Sequence, residues 1–197
     1  MLPLILASSS ETRKKQLTNI GAKFTSCSPN IDETVLENEP PDDLVLRLSV
    51  GKANAVSKKY KSNFIVAGDQ VLVVGKSILG KPKNKNDAIS HLQLCSGKTA
   101  FFYTGVCLFN SKDNNYYSHV VTTEVEYRSL SNDTINAYLE MDQPYSCAGS
   151  IQVESRGMLL LKTIKSSDPY SVLGLPMTVL SDLFLTAGRD LFLDYCS

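Results

Sequence analysis

Between Phe64 and Val74 the chain reads Phe-Ile-Val-Ala-Gly-Asp-Gln-Val-Leu-Val-Val, rich in Ile and Val with little polar alternation. That pattern is expected of a central strand covered on both faces. Asp69 interrupts it. A carboxylate buried without a partner is costly, so Asp69 is paired with a basic residue, ligates a metal, or works as an acid or base. Any fold for this chain must therefore bury the strand and give the charge at its midpoint a polar setting.

The flanking segments fit an α/β fold. Leu4-Ile5-Leu6-Ala7 is a second continuous apolar run, and it leads through Ser8-Ser9-Ser10 into Glu11 to Leu17, a strand–turn–helix sequence. A short strand is expected near Phe24. Pro40-Pro41-Asp42-Asp43 starts a helix that should run to about Tyr60, with an apolar face through Leu44, Leu48, Ala55 and Val56. Ser77 to Pro82 reads as a rigid turn, followed by a helix from about Asn86 to Cys95. Lys98–Asn110 and Tyr116–Arg128 read as a long hairpin across the polar tip Ser111 to Asn115. Ser131-Asn132-Asp133 caps a helix ending near Met141, Met158 to Leu161 reads as a strand, and Gly174-Leu175-Pro176-Met177 opens the last helix. Neither repeats nor a linker-like shift of composition divide residues 1–197, so one domain is expected.

Composition removes several function classes. With 43% hydrophobic residues the chain can bury a core without disulfides. The balance of 20 basic against 20 acidic residues lacks the excess typical of nucleic-acid polymer binders, so any anion site must be local. The five cysteines are odd in number and widely spread, which reads as reduced thiols in the cytosol. The apolar opening Met1 to Ala7 is too short for a signal peptide and no basic residue precedes it. Phe64–Val74 falls far below the roughly 20 residues that span a bilayer, so a soluble, cytoplasmic protein without membrane partners is expected. His91 and His119 have no partner at ligand spacing and read as ordinary residues.

Four basic residues sit oddly. Arg13 and Lys14 lie in the first turns of a helix, where the dipole disfavours cations unless something negative is bound. The serines before them fit either a plain N-cap or an anion site. Lys52 falls on the inward stripe of its helix, where it either snorkels to the core edge or borders a cleft holding phosphate. Lys81 stands between Gly80 and Pro82 on a turn that would fix it in space.

Taken in order, Leu6 to Ser10 with Arg13, Asp32-Glu33-Thr34, Gly68-Asp69-Gln70, Gly80-Lys81-Pro82, Ser96-Gly97-Lys98, Cys147-Ala148-Gly149-Ser150 and Gly174-Leu175-Pro176 resemble the Maf family of nucleotide pyrophosphatases. The likeness runs nearly from end to end. It implies a mixed, twisted β-sheet with flanking helices in two lobes around a deep cleft, as in ITPase-like folds, often dimeric, hence a possible homodimer. It also implies cleavage of a nucleoside triphosphate between the α and β phosphates with Mg2+ or Mn2+. The family's general base falls on Asp69 and its phosphate-contacting cations on Arg13, Lys52 and Lys81, with Ser8 beside them on the serine turn. Glu33 matches an acidic position near the phosphates. It is a metal ligand together with Asp69, or a loop acid among loop acids.

The base pocket separates branches of the family. In the branch acting on pyrimidine triphosphates such as dTTP and UTP, the positions matching Thr12, Gln70 and Glu154 resemble Arg, Thr and Gln; in the 7-methyl-GTP branch they resemble Trp, Gln and Glu. Gln70 and Glu154 put this chain with the second. A carboxylate only accepts, which suits the N–H groups of guanine, and a cationic N7-methylated base would strengthen those bonds. Thr12 and Glu11 depart from that branch's tryptophan and proline, and Ser155 from a glycine. The resemblance therefore implies a hydrolase that removes 7-methyl-GTP from the nucleotide pool. The alternatives are a pyrimidine triphosphate pyrophosphatase, or a nucleotide-binding regulator of cell division without catalysis.

Overall fold

The computed structural model describes residues 2–196; Met1, at the head of the apolar opening, and Ser197 lie outside them. The strands are β1 (Leu4–Ala7), β2 (Phe24–Cys27), β3 (Phe64–Val74), β4 (Ser77–Leu79), β5 (Thr99–Asn110), β6 (Asn115–Tyr127) and β7 (Leu161–Lys165). They form one mixed sheet in the order β2-β1-β3-β5-β6-β7, with β4 on the edge of β3. β2, β1 and β3 are parallel, and the remaining pairings are antiparallel.

Alternation along the strands explains how both faces are covered. Leu4, Leu6, Phe64 and Val66 pack with Leu17 of α1 (Glu11–Asn19), with Leu180 and Phe184 of α5 (Met177–Thr186), and with Leu191 of α6 (Leu191–Tyr195). Their neighbours Ile5, Ala7, Ile65 and Ala67 pack on the other face with Ala53 and Val56 of α2 (Pro41–Ser57). The far halves of β3, β5 and β6 build a second lobe, where Leu72, Phe102, Val125 and Tyr127 meet α3 (Lys85–Cys95) and α4 (Asn132–Asp142). β3, β5 and β6 thus run through both lobes.

The site lies where one edge of β3 is left open. β1 accompanies β3 only to the pair Ala7–Ala67, and β4 joins only at Leu72–Leu79. From Gly68 to Val71, β3 has β5 on one side and, among the described residues, no strand on the other. Successive side chains of a strand point to opposite faces. Around this open edge Asp69 and Gln70 can nonetheless serve one cavity.

Local chemistry sets the element ends. Ser10, Asn84 and Ser131 cap α1, α3 and α4 by accepting from the amides of Arg13, Asp87 and Thr134. Five details differ from the sequence expectation. Ser77–Leu79, read as part of a turn, pairs with β3 as strand β4. Helix α2 stops at Ser57, once its apolar stripe has ended at Val56, and the buried alanine is Ala53 while Ala55 stays half-exposed. Met158 and Leu159 lie not in a strand but in a 3-10 turn, Arg156–Leu160. There Arg156 is tied to Asp142 through its amide and guanidinium, and Gly157 packs so closely that a Cβ would sit 2.4 Å from the Gln152 carbonyl. Finally α5 is not the last helix, because Asp190 accepts from the amides of Phe192 and Leu193 and starts α6.

Candidate active site

Asp69 is 7% exposed, and its Oδ1 accepts from Lys52 Nζ at 2.6 Å. Lys52, itself 5% exposed, therefore does not snorkel. Its ammonium also lies 3.2 Å from Glu33 Oε1, so two carboxylates from separate segments converge on one cation. Glu33 sits on a loop anchored behind the site. Arg47 of α2 binds Glu39 through Nε and Nη2 and also reaches the Thr34 carbonyl. That pairing holds the Glu39 carboxyl down at about 2.

Arg13 enters from the other face of the sheet. Its Nε donates to the Gly174 carbonyl at 2.6 Å, which leaves the rest of the guanidinium free to turn toward the cavity it lines. Gly68 makes room for it, since a Cβ there would lie 3.4 Å from Arg13 Nε and 3.0 Å from the Gly105 carbonyl. Burial pulls the guanidinium below its ordinary value, against the raising influence of Asp69 and Glu33. Such a cation would be stabilised further by a bound anion.

These side chains share one space. A cavity of about 200 Å³ is lined by Ser9, Ser10, Thr12, Arg13, Lys52, Asp69, Gln70, Lys81, Glu154 and a wall running from Val172 to Gly174. A narrow extension of about 30 Å³ adds Ser8 and Glu33 and again touches Arg13, Lys52 and Lys81. Ser8, Thr12, Arg13, Glu33, Lys52, Asp69, Gln70, Lys81 and Glu154 thus all border the cavity or its extension, and Arg13, Lys52 and Lys81 stand where the two meet, whereas Lys14 borders neither and pairs with Glu11 at 2.6 Å. Lys81 is exposed, on a turn held by the Gly149 amide donating to the Gly80 carbonyl at 3.0 Å. Ser8 is 4% exposed and accepts from the Ser10 amide.

Gln70 and Glu154 are both constrained. Gln70 Nε2 lies 2.9 and 3.2 Å from the carbonyls of Ser171 and Val172, which can only accept, so that atom must be the nitrogen. Its carbonyl oxygen is left facing Gly174 on the cavity wall. Glu154 Oε1 accepts from Thr12 Oγ1 at 2.7 Å, across the cavity mouth from α1.

Sequence reasoning missed the support beneath this wall. Thr104 donates to the Ser171 carbonyl, and Ser171 Oγ meets Thr123, Ser166 and the Asp168 carbonyl. Asp168, fully buried, accepts from the amides of Tyr170, Thr178 and Val179 and so ties the wall to the start of α5. Only the glycine in β3 gave a signal, because a glycine inside a strand marks a close approach. Hydroxyls scattered over four segments carry no spacing.

Among the described residues no group of three His, Cys, Asp or Glu side chains could by itself hold a metal ion. No helix among the described residues is long and apolar enough to cross a membrane.

Known proteins resemble this chain in sequence and in fold. The pattern of the Maf-like protein family matches residues 3–187. The chain is 42% identical over 185 residues to a 7-methyl-GTP pyrophosphatase of Nitrosococcus oceani, covering 94% of this chain and 93% of that one. It is 40% identical over 188 residues to a 7-methyl-GTP pyrophosphatase of Pseudoalteromonas translucida, covering 95% and 93%. In structure it is similar to the Ham1 protein of Staphylococcus aureus, with a TM-score of 0.52, 14% identity, and coverage of 95% of this chain and all of that one. The last likeness bears on the fold alone and supports the mixed open sheet. With matched positions from the first strand to the end of α5 and these relatives alike over nearly their whole length, the chain belongs to the Maf family.

Proposed function

We propose that this protein hydrolyses 7-methyl-GTP to the nucleoside monophosphate and pyrophosphate, with Asp69 as general base. The observation that carries the proposal is the single cavity in which buried Asp69 stands beside Lys52, with Arg13 and Lys81 on the same walls. The relatives named as 7-methyl-GTP pyrophosphatases support the substrate.

Hydrolysis at the α–β anhydride places negative charge on phosphate oxygens and on the departing pyrophosphate. Arg13, Lys52 and Lys81 would meet that charge, and the Ser9–Ser10 turn at the start of α1 adds amides and a favourable dipole. Asp69 orients a water and takes its proton as the oxygen bonds to phosphorus. The P–O bond to pyrophosphate then breaks.

Glu33 and Asp69 fit a hard divalent cation such as Mg2+ or Mn2+, since both offer carboxylate oxygens at one spot and such ions commonly take one or two carboxylates plus substrate phosphates. When bound, the ion would supply Lewis-acid stabilisation of phosphate charge. Lys52 lies against the same two carboxylates.

The experiment is a panel of canonical and methylated triphosphates with Mg2+ or Mn2+, with pyrophosphate and orthophosphate measured separately. Equimolar monophosphate and pyrophosphate, fastest from 7-methyl-GTP, is the expected result. A preference for dTTP or UTP would move the protein to the pyrimidine branch, and no hydrolysis across the panel would favour a nucleotide-binding regulator.

A further inference from the structure

The polar groups that the sheet and the Glu154 loop turn toward the cavity are hydrogen-bond acceptors. Gln70 is locked with its nitrogen on the Ser171 and Val172 carbonyls, and Thr104 strengthens the lock. Its hydroxyl proton goes to the Ser171 carbonyl, so its oxygen can only accept from Gln70 Nε2, at 3.0 Å. A flipped amide would set carbonyl against carbonyl. Glu154 supplies the second acceptor, but it is exposed and lies on a loop, where a free carboxylate would sample many positions. What restrains it is Thr12, whose hydroxyl holds Oε1 at 2.7 Å and leaves Oε2 unclaimed.

The apolar part of the cavity is Ala148, Ile151, Val172 and Leu173, and among the described residues no aromatic side chain borders it. A base held here has apolar surfaces against its faces but no π-surface to read a ring charge. Selection must then come largely from the base edge.

We infer that Thr12 is a positioning residue for base selection: by fixing Glu154 in the cavity that the locked Gln70 also lines, it makes a site for guanine bases, N7-methylated or not, recognised through their N1–H and N2-amine donors. This deepens the pyrophosphatase reading and rests on it for the triphosphate. The recognition itself requires only binding. Guanine offers two adjacent donor groups on that edge, hypoxanthine offers N1–H alone, and adenine and the pyrimidines offer a mixed or opposite pattern. A site built to hydrogen-bond an amine rejects the analogue lacking it, because its own acceptor is then left unpaired.

The test compares wild type, Thr12→Val and Thr12→Ser. Turnover of GTP, 7-methyl-GTP and ITP is measured together with calorimetric binding of the α,β-methylene analogues of GTP and ITP, which carry no cleavable α–β anhydride. Wild type should prefer GTP over ITP by about 100-fold. Thr12→Val, which removes only the hydroxyl, should cut that ratio by about tenfold, with the loss falling on KM rather than kcat. Thr12→Ser should restore it. A merely structural role for Thr12 would lower activity on both nucleotides alike and leave the ratio intact. The inference is overturned if wild type binds both analogues equally or if Thr12→Val keeps the wild-type ratio. Failure of every triphosphate to be cleaved, with the binding ratio behaving as expected, would overturn the pyrophosphatase reading and leave the base site standing.

Discussion

At the residue scale, burial is used in opposite ways on the two sides of the cavity. Lys52 is paired with both Asp69 and Glu33, so the charge on the inward stripe of α2 needs no solvent. His91, behind the cavity wall, is different. It is half-buried, its Nδ1 lies 2.9 Å from Ser150 Oγ, and burial holds it below its ordinary value of 6.5 while Asp87 opposes that more weakly. The folded protein therefore favours the neutral ring. Stability from such a group is fully present above its unfolded value and is lost as pH falls through the lowered folded value. Thermal unfolding of wild type and His91→Gln between about pH 5 and 8 checks this. Wild type should lose stability below its histidine range and the variant should show a flatter profile, whereas parallel profiles would remove the assignment. Nothing in the sequence pointed to it, because the Ser150 contact joins residues far apart in the chain.

At the element scale, α2 packs closely on the sheet at Gly105. A Cβ on Gly105 of β5 would lie 2.5 Å from the Val45 carbonyl and 2.8 Å from Ser49 Oγ. Gly105→Ala must push α2 outward, and α2 carries Lys52 toward Asp69. Overpacking of this kind costs about 1 to 3 kcal/mol, so a lower Tm is expected. Turnover should fall with it even well below the unfolding temperature, and a variant with lowered Tm but wild-type turnover would show that the helix position is not critical. The elements themselves were largely legible. β3 matched Phe64–Val74, and the hairpin and the capped helices followed from apolar periodicity and cap residues. The misses have separate causes. Met158 and Leu159 belong to a short apolar run that suits a strand or a turn, and tertiary ties at Arg156 and Gly157 decide their conformation; α6 is too short to show a period.

At the scale of the whole molecule, the open edge of β3 is what makes a cavity possible. Two lobes share the long strands, and the chain leaves β1 just where β4 has yet to begin. Loops from both lobes can then reach the unpaired stretch around Asp69: the serine turn and Glu33 from one, and the Lys81 turn, Glu154 and its neighbours from the other. The sequence told which residues were out of place, because Asp69, Lys52 and Arg13 each violated a local rule. It did not show that they meet across two faces of a sheet, which depends on where β1 and β4 stop.

The proposed hydrolysis rests on Asp69 acting as the base beside Arg13, Lys52 and Lys81. Turnover and nucleotide binding of Asp69→Asn, measured with 7-methyl-GTP and Mg2+ or Mn2+, test this most directly. Turnover should fall by about 10² to 10⁴ while nucleotide still binds; turnover equal to wild type would remove Asp69 as the base.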